Sequence, residues 1–375
     1  MNIPIASTFY EENYVWCTMF NDNYLYRLDN HCGILEEMTP LLDDEEIWFA
    51  FYDIISYKDS LIFVPCTVDG VLLVNKTNFS KEYIELPKCE EYIGESYIKF
   101  SSGVIWKDNL FLFGYAYPGI VKLNLTTKEL SVIDSWIPEM RSIAISNEGC
   151  FNNESFVKDG KVYHPFLNAD AIMEFDLQTE QVIIHLIGER KQGYISIQWD
   201  GTNFWLVPRN GEVGAITRWN PSSSEMQYYE NYPAEFDRHR YAFYRTMLVD
   251  NKLFLFAGYG NCNIMFDIRS GRMETFSHLY DVGEIKGCKY PKVFRVQDNI
   301  LFFRGTEYIL WDYKSGNVLK NECRLAEKVI QRFAEREKKR MLQRFSEIMD
   351  DKSMCINEGE YWNLKFYLEW IKTVG

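Results

Sequence analysis

Short apolar runs separated by tight turns recur along most of this chain. In the stretch 248–273, apolar and aromatic runs lie on both sides of the pair Asp250–Asn251, and the pair Ser270–Gly271 follows a third run. Turn residues of this kind between short apolar runs are typical of β-hairpins. The pattern therefore predicts consecutive short antiparallel strands.

Two features of this pattern repeat in phase. The first is the turn pair before the second strand of each unit: Glu12–Asn13, Asp59–Ser60, Asp108–Asn109, Asp159–Gly160, Asp200–Gly201, Asp250–Asn251 and Asp298–Asn299. The second is an apolar residue followed by Asp or Asn where the third strand ends: Leu28–Asp29, Val74–Asn75, Leu123–Asn124, Phe175–Asp176, Trp219–Asn220, Phe266–Asp267 and Trp311–Asp312. The second feature recurs every 44 to 52 residues.

Seven copies at this period, with four short strands per copy, predict an all-β, seven-bladed β-propeller of four-stranded antiparallel blades. A sandwich of unrelated hairpins is the alternative, but sandwiches rarely repeat two features in phase over 300 residues.

On these repeats the chain resembles the kelch-like and WD40-like β-propellers between about Phe9 and Asn321. The likeness is architectural, because most copies lack the kelch double glycine and Trp311–Asp312 is the only Trp-Asp pair at the expected place. It implies a propeller domain over residues 1–321. It also implies that loops leading into the first strands, and loops between second and third strands, surround one mouth of a central channel.

Ring closure has two possible forms in the sequence. If residues 3–10 form the innermost strand of blade one, every blade is continuous in sequence. Residues 3–6 could instead complete the last blade, a common means of closing propellers. We favour continuous blades.

After Asn321 the apolar period becomes that of a helix. Apolar residues between Leu325 and Met349 recur at steps of three and four, which predicts an amphipathic helix of about seven turns. A second helical segment is predicted for Tyr361–Ile371. This tail, residues 322–375, either caps the propeller or docks a partner or a second copy. Its polar face is not predominantly basic, so we expect no membrane association.

Composition and charge argue against several classes of function. The 375 residues carry a net charge of −14, which argues against binding to nucleic acid or anionic lipid. The nine cysteines are scattered without a Cys-x-x-Cys pair, so we expect reduced thiols in a cytoplasmic protein and no zinc.

The N-terminus has no signal-peptide pattern, and no apolar stretch is long enough to span a membrane. The acidic run Asp43–Glu46 lacks the alternation of a calcium loop, so no metal and no cofactor are expected.

The candidate ligand-binding residues lie in the loops assigned to the channel mouth. Arginine suits carboxylate or phosphate, and tyrosine faces suit sugars or peptide side chains. The densest cluster is 237–240, where His239 could act as a general base oriented by Asp237; a solvated loop with paired charges is the alternative. The full set is Tyr115, Tyr117, Arg141, Arg190, Arg209, Asp237, Arg238, His239, Arg240, Tyr259, Asn261 and Arg304.

The sequence therefore favours a cytoplasmic binding or scaffold protein that recognises a protein or peptide through the channel mouth and the helical tail. The first alternative is an enzyme acting on a small polar or anionic substrate, such as a glycan or peptide, in the mouth. A carbohydrate-binding propeller is the second. No nucleophile motif, phosphate-binding loop or metal-ligand spacing supports a particular reaction, so no catalytic residue is assigned.

Overall fold

Seven four-stranded antiparallel sheets form a ring in the computed structural model of the protein, which confirms the predicted propeller. The structure describes residues 5–11, 13–20, 22–29, 33–43, 47–89, 91–94, 96–152, 154–212, 214–239, 241–276, 293–296, 298–304 and 307–350. The side chains of residues 304, 337, 340, 341 and 343–350 are outside this description.

Each blade is built from four strands that are consecutive in sequence and paired in sequence order, and a fifth short strand extends the first sheet. The first three blades are β1 Ile5–Glu11, β2 Tyr14–Met19, β3 Asp22–Asp29 and β4 Ile34–Pro40; β5 Phe51–Tyr57, β6 Ser60–Pro65, β7 Gly70–Asn75 and β8 Lys81–Glu85; and β9 Phe100–Trp106, β10 Asn109–Gly114, β11 Ile120–Asn124 and β12 Leu130–Ile133.

The remaining blades follow the same order. They are β13 Phe156–Lys158, β14 Lys161–Pro165, β15 Ala171–Asp176 and β16 Val182–Leu186; β17 Tyr194–Trp199, β18 Phe204–Pro208, β19 Ile216–Trp219 and β20 Met226–Tyr229; β21 Phe243–Val249, β22 Lys252–Ala257, β23 Asn263–Asp267 and β24 Arg272–Phe276; and β25 Val293–Val296, β26 Asn299–Arg304, β27 Glu307–Asp312 and β28 Val318–Glu322.

The first repeated feature is the hairpin turn between the first and second strands. Its backbone visits the left-handed region, which Gly, Asn and Asp tolerate best. Three predicted turn pairs begin one residue too late, because β6 already starts at Ser60, β10 at Asn109 and β26 at Asn299. The first two of these turns use a lysine with positive φ instead. The positive-φ residues of the described hairpin turns are Lys58, Lys107, Asp159, Gly160, Gly201 and Asp250.

The second repeated feature is an Asx turn between the third and fourth strands. A side-chain oxygen of the Asp or Asn accepts hydrogen bonds from the backbone N–H groups two and three residues later, which closes the turn locally. This occurs at Asn75, Asn124, Asp176, Asn220, Asp267 and Asp312. Backbone hydrogen bonds join the two turns of a blade, as from Leu125 N to Asp108 O at 2.7 Å. Both repeated features therefore lie at the same end of the blades.

The hydrophobic core lies between neighbouring blades. Aromatic rings from adjacent sheets meet there: Phe111 and Phe175 have centroids 5.3 Å apart between blades three and four, and Phe254 and Trp311 are 5.0 Å apart between blades six and seven. Such contacts bury both faces of sheets that would be unstable alone.

Blade one contains its own innermost strand, so the blades are continuous, as favoured above. A two-residue strand, β29 at Arg324–Leu325, follows blade seven and pairs with β4 at the outer edge of blade one. The Arg324 N–H donates to Gly33 O at 2.8 Å. Gly33 has φ +70°, and an added Cβ would lie 2.6 Å from Glu322 O. Glycine thus permits the close approach of the last blade to the first.

Two helices complete the described structure. The connection between blades three and four contains a short helix, α1 Ile137–Ile143, which the sequence pattern did not indicate. The chain divides into two compact units, residues 1–324 and 325–375. In the second unit, helix α2 spans Glu327–Asp350 and confirms the predicted amphipathic helix. The predicted segment Tyr361–Ile371 lies outside the described residues. No described helix is long and apolar enough to cross a membrane.

Candidate functional site

A cavity of about 330 Å³ lies where the starts of the first strands meet the loops between second and third strands. This is the mouth geometry that the propeller resemblance implied. The described lining residues are Tyr52, Ile98, Tyr115, Asn152, Leu167, Ile195, His239, Tyr241, Tyr244 and Tyr259. They come from blades two to six, and five of the ten are tyrosines. We refer to it as the tyrosine cavity.

Three side chains of the tyrosine cavity form a hydrogen-bonded group. Tyr52 and Tyr244 are each the second residue of a first strand, in β5 and β21. Their hydroxyl oxygens are 2.9 Å apart, and the Tyr52 hydroxyl also lies 3.3 Å from Asn152 Oδ1, to which it donates. This group links side chains of blades two, four and six across the mouth.

Tyr115 reaches the tyrosine cavity because its neighbour has no side chain. It follows β10, and its backbone N–H donates to Lys99 O at 2.8 Å. A Cβ on Gly149 would lie only 2.2 Å from Tyr115 Cδ1. The ring therefore packs directly on the backbone at Gly149.

An ion pair between a buried arginine and a half-buried glutamate supports the wall of the tyrosine cavity. Arg209, which follows β18, is only 4% exposed and pairs with the Glu148 carboxylate. The Tyr241 hydroxyl donates to Glu148 Oε2 at 2.7 Å, and Arg209 Nη1 donates to the Tyr241 oxygen at 3.3 Å. The carboxylate is shared between two donors, so this cluster fixes the position of Tyr241.

A buried aspartate carboxylate holds the loop that leads into blade five. Asp170 accepts hydrogen bonds from the backbone N–H groups of Lys191, Gln192 and Gly193, the last two at 2.8 Å. Gly193 has φ +55°, and an added Cβ would lie 2.1 Å from Leu167 O. Two residues that line the tyrosine cavity lie next to this loop. Ile195 follows Gly193 by two positions, and the carbonyl oxygen of Leu167 is the atom that a Cβ on Gly193 would meet.

Burial keeps three tyrosine hydroxyls of the tyrosine cavity protonated. Desolvation and, second to it, the hydrogen bond to Glu148 raise the pKa of Tyr241 to about 12, against the lowering effect of Arg209. Desolvation also raises the pKa values of Tyr52 and Tyr115 well above their usual range. These rings are therefore neutral at physiological pH.

A carboxyl group that sequence reasoning did not select contacts the first strands of blades five and six. Glu154 precedes β13, and its two carboxyl oxygens accept from Thr246 N at 3.3 Å and Thr246 Oγ1 at 3.1 Å. Desolvation raises the pKa of Glu154, while the Arg245 charge and the hydrogen bonds from Ser196 and Thr246 lower it; the net shift is upward.

The structure brings three of the predicted site residues onto the tyrosine cavity: Tyr115, His239 and Tyr259. His239 and Tyr259 stack with centroids 6.2 Å apart. Arg209 lies in the wall, committed to Glu148. Of the cluster 237–240, His239 is the member that lines the tyrosine cavity; Arg240 is outside the described residues.

The other predicted site residues have partners away from the cavity lining. Asn261 accepts from Asp237 N at 2.9 Å and donates to Glu235 O at 2.7 Å, which fixes the loop. Arg238 packs over the Tyr232 ring at 5.3 Å. The remaining members are Arg190, which pairs with Glu230; Arg141, 3.7 Å from Glu91 in a separate cleft; Tyr117, which donates to Pro87 O; and Arg304, whose side chain is not described.

No group of three or more His, Cys, Asp or Glu residues arranged to hold a metal ion occurs in the part of the chain that the structure describes.

Comparisons with known proteins show the fold alone. No known protein-family profile and no curated protein matches the sequence. Among solved structures, the chain is similar to streptogramin B lyase, at 13% identity and a TM-score of 0.58 over 81% of this chain and 90% of that one. It is also similar to a catalytically inactive variant of virginiamycin B lyase from Staphylococcus aureus with quinupristin, at 12% identity and a TM-score of 0.60 over 81% and 92% of the two chains. The extracellular domain of a putative one-component system, BT4673, from B. thetaiotaomicron matches at 11% identity and a TM-score of 0.55, over 85% of this chain and 46% of that one.

These matches establish a β-propeller, and no kelch or WD40 family is shown. At such low identity, the activities named for these proteins do not transfer to this chain.

Several residues of the mouth were missed because they lie inside strands or next to buried turns. Tyr52 and Tyr244 resemble the aromatic core residues of any first strand. Asn152 and Glu154 are two polar residues just before a short strand, in the stretch 151–155. An unusually polar start to blade four is the one sequence signal that could have located the channel.

Replacing Glu154 with glutamine will change how stability depends on pH. Because the folded protein raises the pKa of Glu154, it binds this proton more tightly than the unfolded chain does. This group therefore costs stability as pH rises above its usual pKa of about 4.5. We expect Glu154→Gln to gain stability relative to the wild type between pH 4.5 and pH 7, measured by urea unfolding at several pH values. The exposed Glu85→Gln is the matched control, and parallel curves for wild type and Glu154→Gln would contradict the assignment.

Proposed function

We propose that the protein is a binding module whose propeller mouth receives a peptide segment of a partner protein. The observation that carries this proposal is a group of exposed aromatic rings directly beside the tyrosine cavity. Peptide-binding surfaces of this type use large aromatic side chains as contact area and a pocket as an anchor point.

The exposed group consists of Trp48, Tyr97 and Tyr259, which are 45%, 56% and 48% exposed. We call it the aromatic rim. The Trp48 and Tyr97 rings meet edge to face with centroids 5.0 Å apart. Large aromatic residues rarely remain this exposed in a cluster unless they contact another molecule.

The aromatic rim is continuous with the tyrosine cavity. Trp48 contacts Phe49 at 5.8 Å between ring centroids, and Phe49 contacts Tyr52 of the cavity at 5.2 Å. Tyr259 belongs to both groups. A bound segment can therefore lie across the rim while one of its side chains enters the cavity.

The composition of the cavity favours binding over catalysis. The described lining residues include no carboxylate, lysine, arginine, serine or cysteine, and His239 is the main candidate among them for acid–base chemistry. The nearest carboxylate on the wall, Glu148, is shared between Arg209 and Tyr241. These features support the partner-binding function more than the alternative of an enzyme with an anionic substrate.

We extend the proposal to helix α2 as a second contact for the partner. Ile330 and Leu342 are exposed on this helix. Exposed apolar residues on an amphipathic helix are suited to helix-in-groove contacts.

Selection from a random-peptide display library on the immobilised full-length protein will test this function. We expect selected peptides to bind the wild type and to bind the double variant Trp48→Ala/Tyr97→Ala at least about tenfold more weakly, measured by fluorescence anisotropy. The double variant Ile330→Ser/Leu342→Ser should weaken binding of partner-length ligands more than that of short peptides.

Tyr83 provides a matched control, because it is a similarly exposed tyrosine on the outer strand β8. Tyr83→Ala should leave peptide affinity unchanged. Failure to select any peptide, or equal loss of affinity in the rim and Tyr83 variants, would contradict the proposed function. Selective binding of sugars from a glycan array would favour the carbohydrate alternative.

A further inference from the structure

We propose that the tyrosine cavity binds an alkylated ammonium group, such as the head group of a methylated lysine or of a choline-like molecule. This inference rests on the proposed function in one respect, which is that a partner segment on the aromatic rim carries the ammonium group. The chemistry of the cavity itself is argued from its five tyrosines.

Aromatic rings attract cations because the ring face carries partial negative charge. Two rings of the cavity already contact cations of this chain. The guanidinium carbon of Arg209 lies 5.4 Å from the centroid of Tyr241, and that of Arg245 lies 4.4 Å from the centroid of Tyr244. Rings of this wall therefore accept positive charge in the folded protein.

Three of the five tyrosine hydroxyls are engaged within the wall. Tyr52 and Tyr244 bond to each other, and Tyr241 donates to Glu148. Their rings thus form a larger part of the available lining than their oxygens do. A ligand that requires ring faces suits this arrangement better than one that requires several hydroxyl partners, such as a sugar.

The remaining lining residues favour an alkylated ammonium over a bare one. Ile98, Leu167 and Ile195 offer apolar contacts for methyl groups. The described lining has no carboxylate to replace the water around an –NH₃⁺ group, which is strongly hydrated. An ammonium that carries methyl groups loses less hydration on entering such a site.

Charge around the cavity is compatible with a cationic ligand. The buried Arg209 is paired with Glu148, and Arg245 interacts electrostatically with Glu154. The whole chain carries a net charge of −14, which raises the local concentration of cations.

The volume of about 330 Å³ is at the lower end of the range of small-molecule pockets, roughly 300–1,000 Å³. It suits a single head group or side chain. It is too small for a folded element of a partner, which would have to remain on the aromatic rim.

Choline and its uncharged carbon isostere, 3,3-dimethyl-1-butanol, test the inference with the full-length protein. The two probes have almost the same shape, so their affinities differ only through charge. We expect choline to bind at least about tenfold more tightly, measured by calorimetry or by NMR titration. Equal affinities, or tighter binding of the isostere, would overturn the inference.

Variants of Tyr115 test whether the ring or the hydroxyl is responsible. Tyr115→Phe keeps the ring and should retain choline affinity, whereas Tyr115→Leu should lose it at least about tenfold. The opposite order would show recognition through the hydroxyl and would overturn the inference. If Tyr115→Leu does not fold, the pair Tyr259→Phe and Tyr259→Leu makes the same comparison at an exposed position.

A short glycine-flanked peptide carrying trimethyllysine distinguishes the two sources of the group. Binding of both this peptide and choline supports an ammonium group carried by a polypeptide. Binding of choline alone upholds the ammonium site and overturns its link to the proposed function. If display-selected peptides bind the rim but neither ammonium probe binds, the inference is overturned and the proposed function stands.

Discussion

Replacing Asp170 with alanine will lower the free energy of unfolding by about 3 kcal/mol or more. Asp170 is 8% exposed and is the acceptor for three consecutive backbone N–H groups, those of residues 191–193. Gln192 is itself fully buried, so water cannot replace the lost acceptor at its N–H. Each buried donor left without a partner costs roughly 1–3 kcal/mol. Equilibrium unfolding in urea, followed by tryptophan fluorescence, measures the loss.

Asp176 is the matched control for this experiment. It also accepts two backbone N–H groups, from Gln178 and Thr179, but it does so in an Asx turn at the protein surface. Water can solvate those donors, so Asp176→Ala should cost no more than about 1 kcal/mol. Asp170→Asn, which keeps one acceptor oxygen, should lie between the two. A loss for Asp170→Ala no larger than that for Asp176→Ala would show that burial does not determine the cost.

Removing the carboxylate of Glu148 will destabilise the protein by about 3–5 kcal/mol. Glu148→Ala leaves the guanidinium of Arg209 buried without its counter-charge and removes the acceptor of the Tyr241 hydroxyl. Taking a charge out of water is unfavourable unless a partner compensates it. Urea unfolding measures the stability, and binding of choline or of rim peptides reports whether Tyr241 has moved.

The double variant Glu148→Ala/Arg209→Leu distinguishes charge burial from simple loss of packing. It removes both charges, so it should recover much of the stability that the single variant loses. The contrary result is that the losses in free energy of unfolding of Glu148→Ala and Arg209→Leu simply add in the double variant. The two residues would then act independently, and the ion-pair account would be wrong.

The fold could be predicted from the sequence because its strongest signals are local. Asn75, Asn124 and Asp176 each close a turn through hydrogen bonds to residues only two and three positions away. The same local chemistry must recur in every blade, so it leaves a period in the sequence. The number of blades followed from that period, whereas the sequence left two forms of ring closure open.

The candidate site lies at the other end of the blades, where no such repetition exists. Each blade contributes different side chains there: Tyr52 from blade two, Tyr115 from blade three and Tyr244 from blade six. The contacts that assemble them join residues 192 positions apart, as between Tyr52 and Tyr244. Distances of that kind are set by ring closure and are not encoded in local patterns.

For a related reason, no arginine selected from the sequence is among the described residues that line the tyrosine cavity. A side chain in a mouth loop can point to the lining, to the wall or to a neighbouring loop, and sequence position does not decide among these. Arg209 pairs with Glu148 in the wall, whereas Arg238 packs on Tyr232. Tyr115 and Tyr259, which were selected from the sequence, line the tyrosine cavity, and their role in binding stays a prediction.

The continuity of the blades has a consequence for how this chain could change in evolution. The four strands of each blade are encoded by one uninterrupted stretch of sequence, and the described strands of the final blade include none from the N-terminal segment. A recombination event between two linkers would therefore add or remove a whole sheet without cutting one. Ring size in descendants of this gene can change by a single duplication or deletion of one repeat.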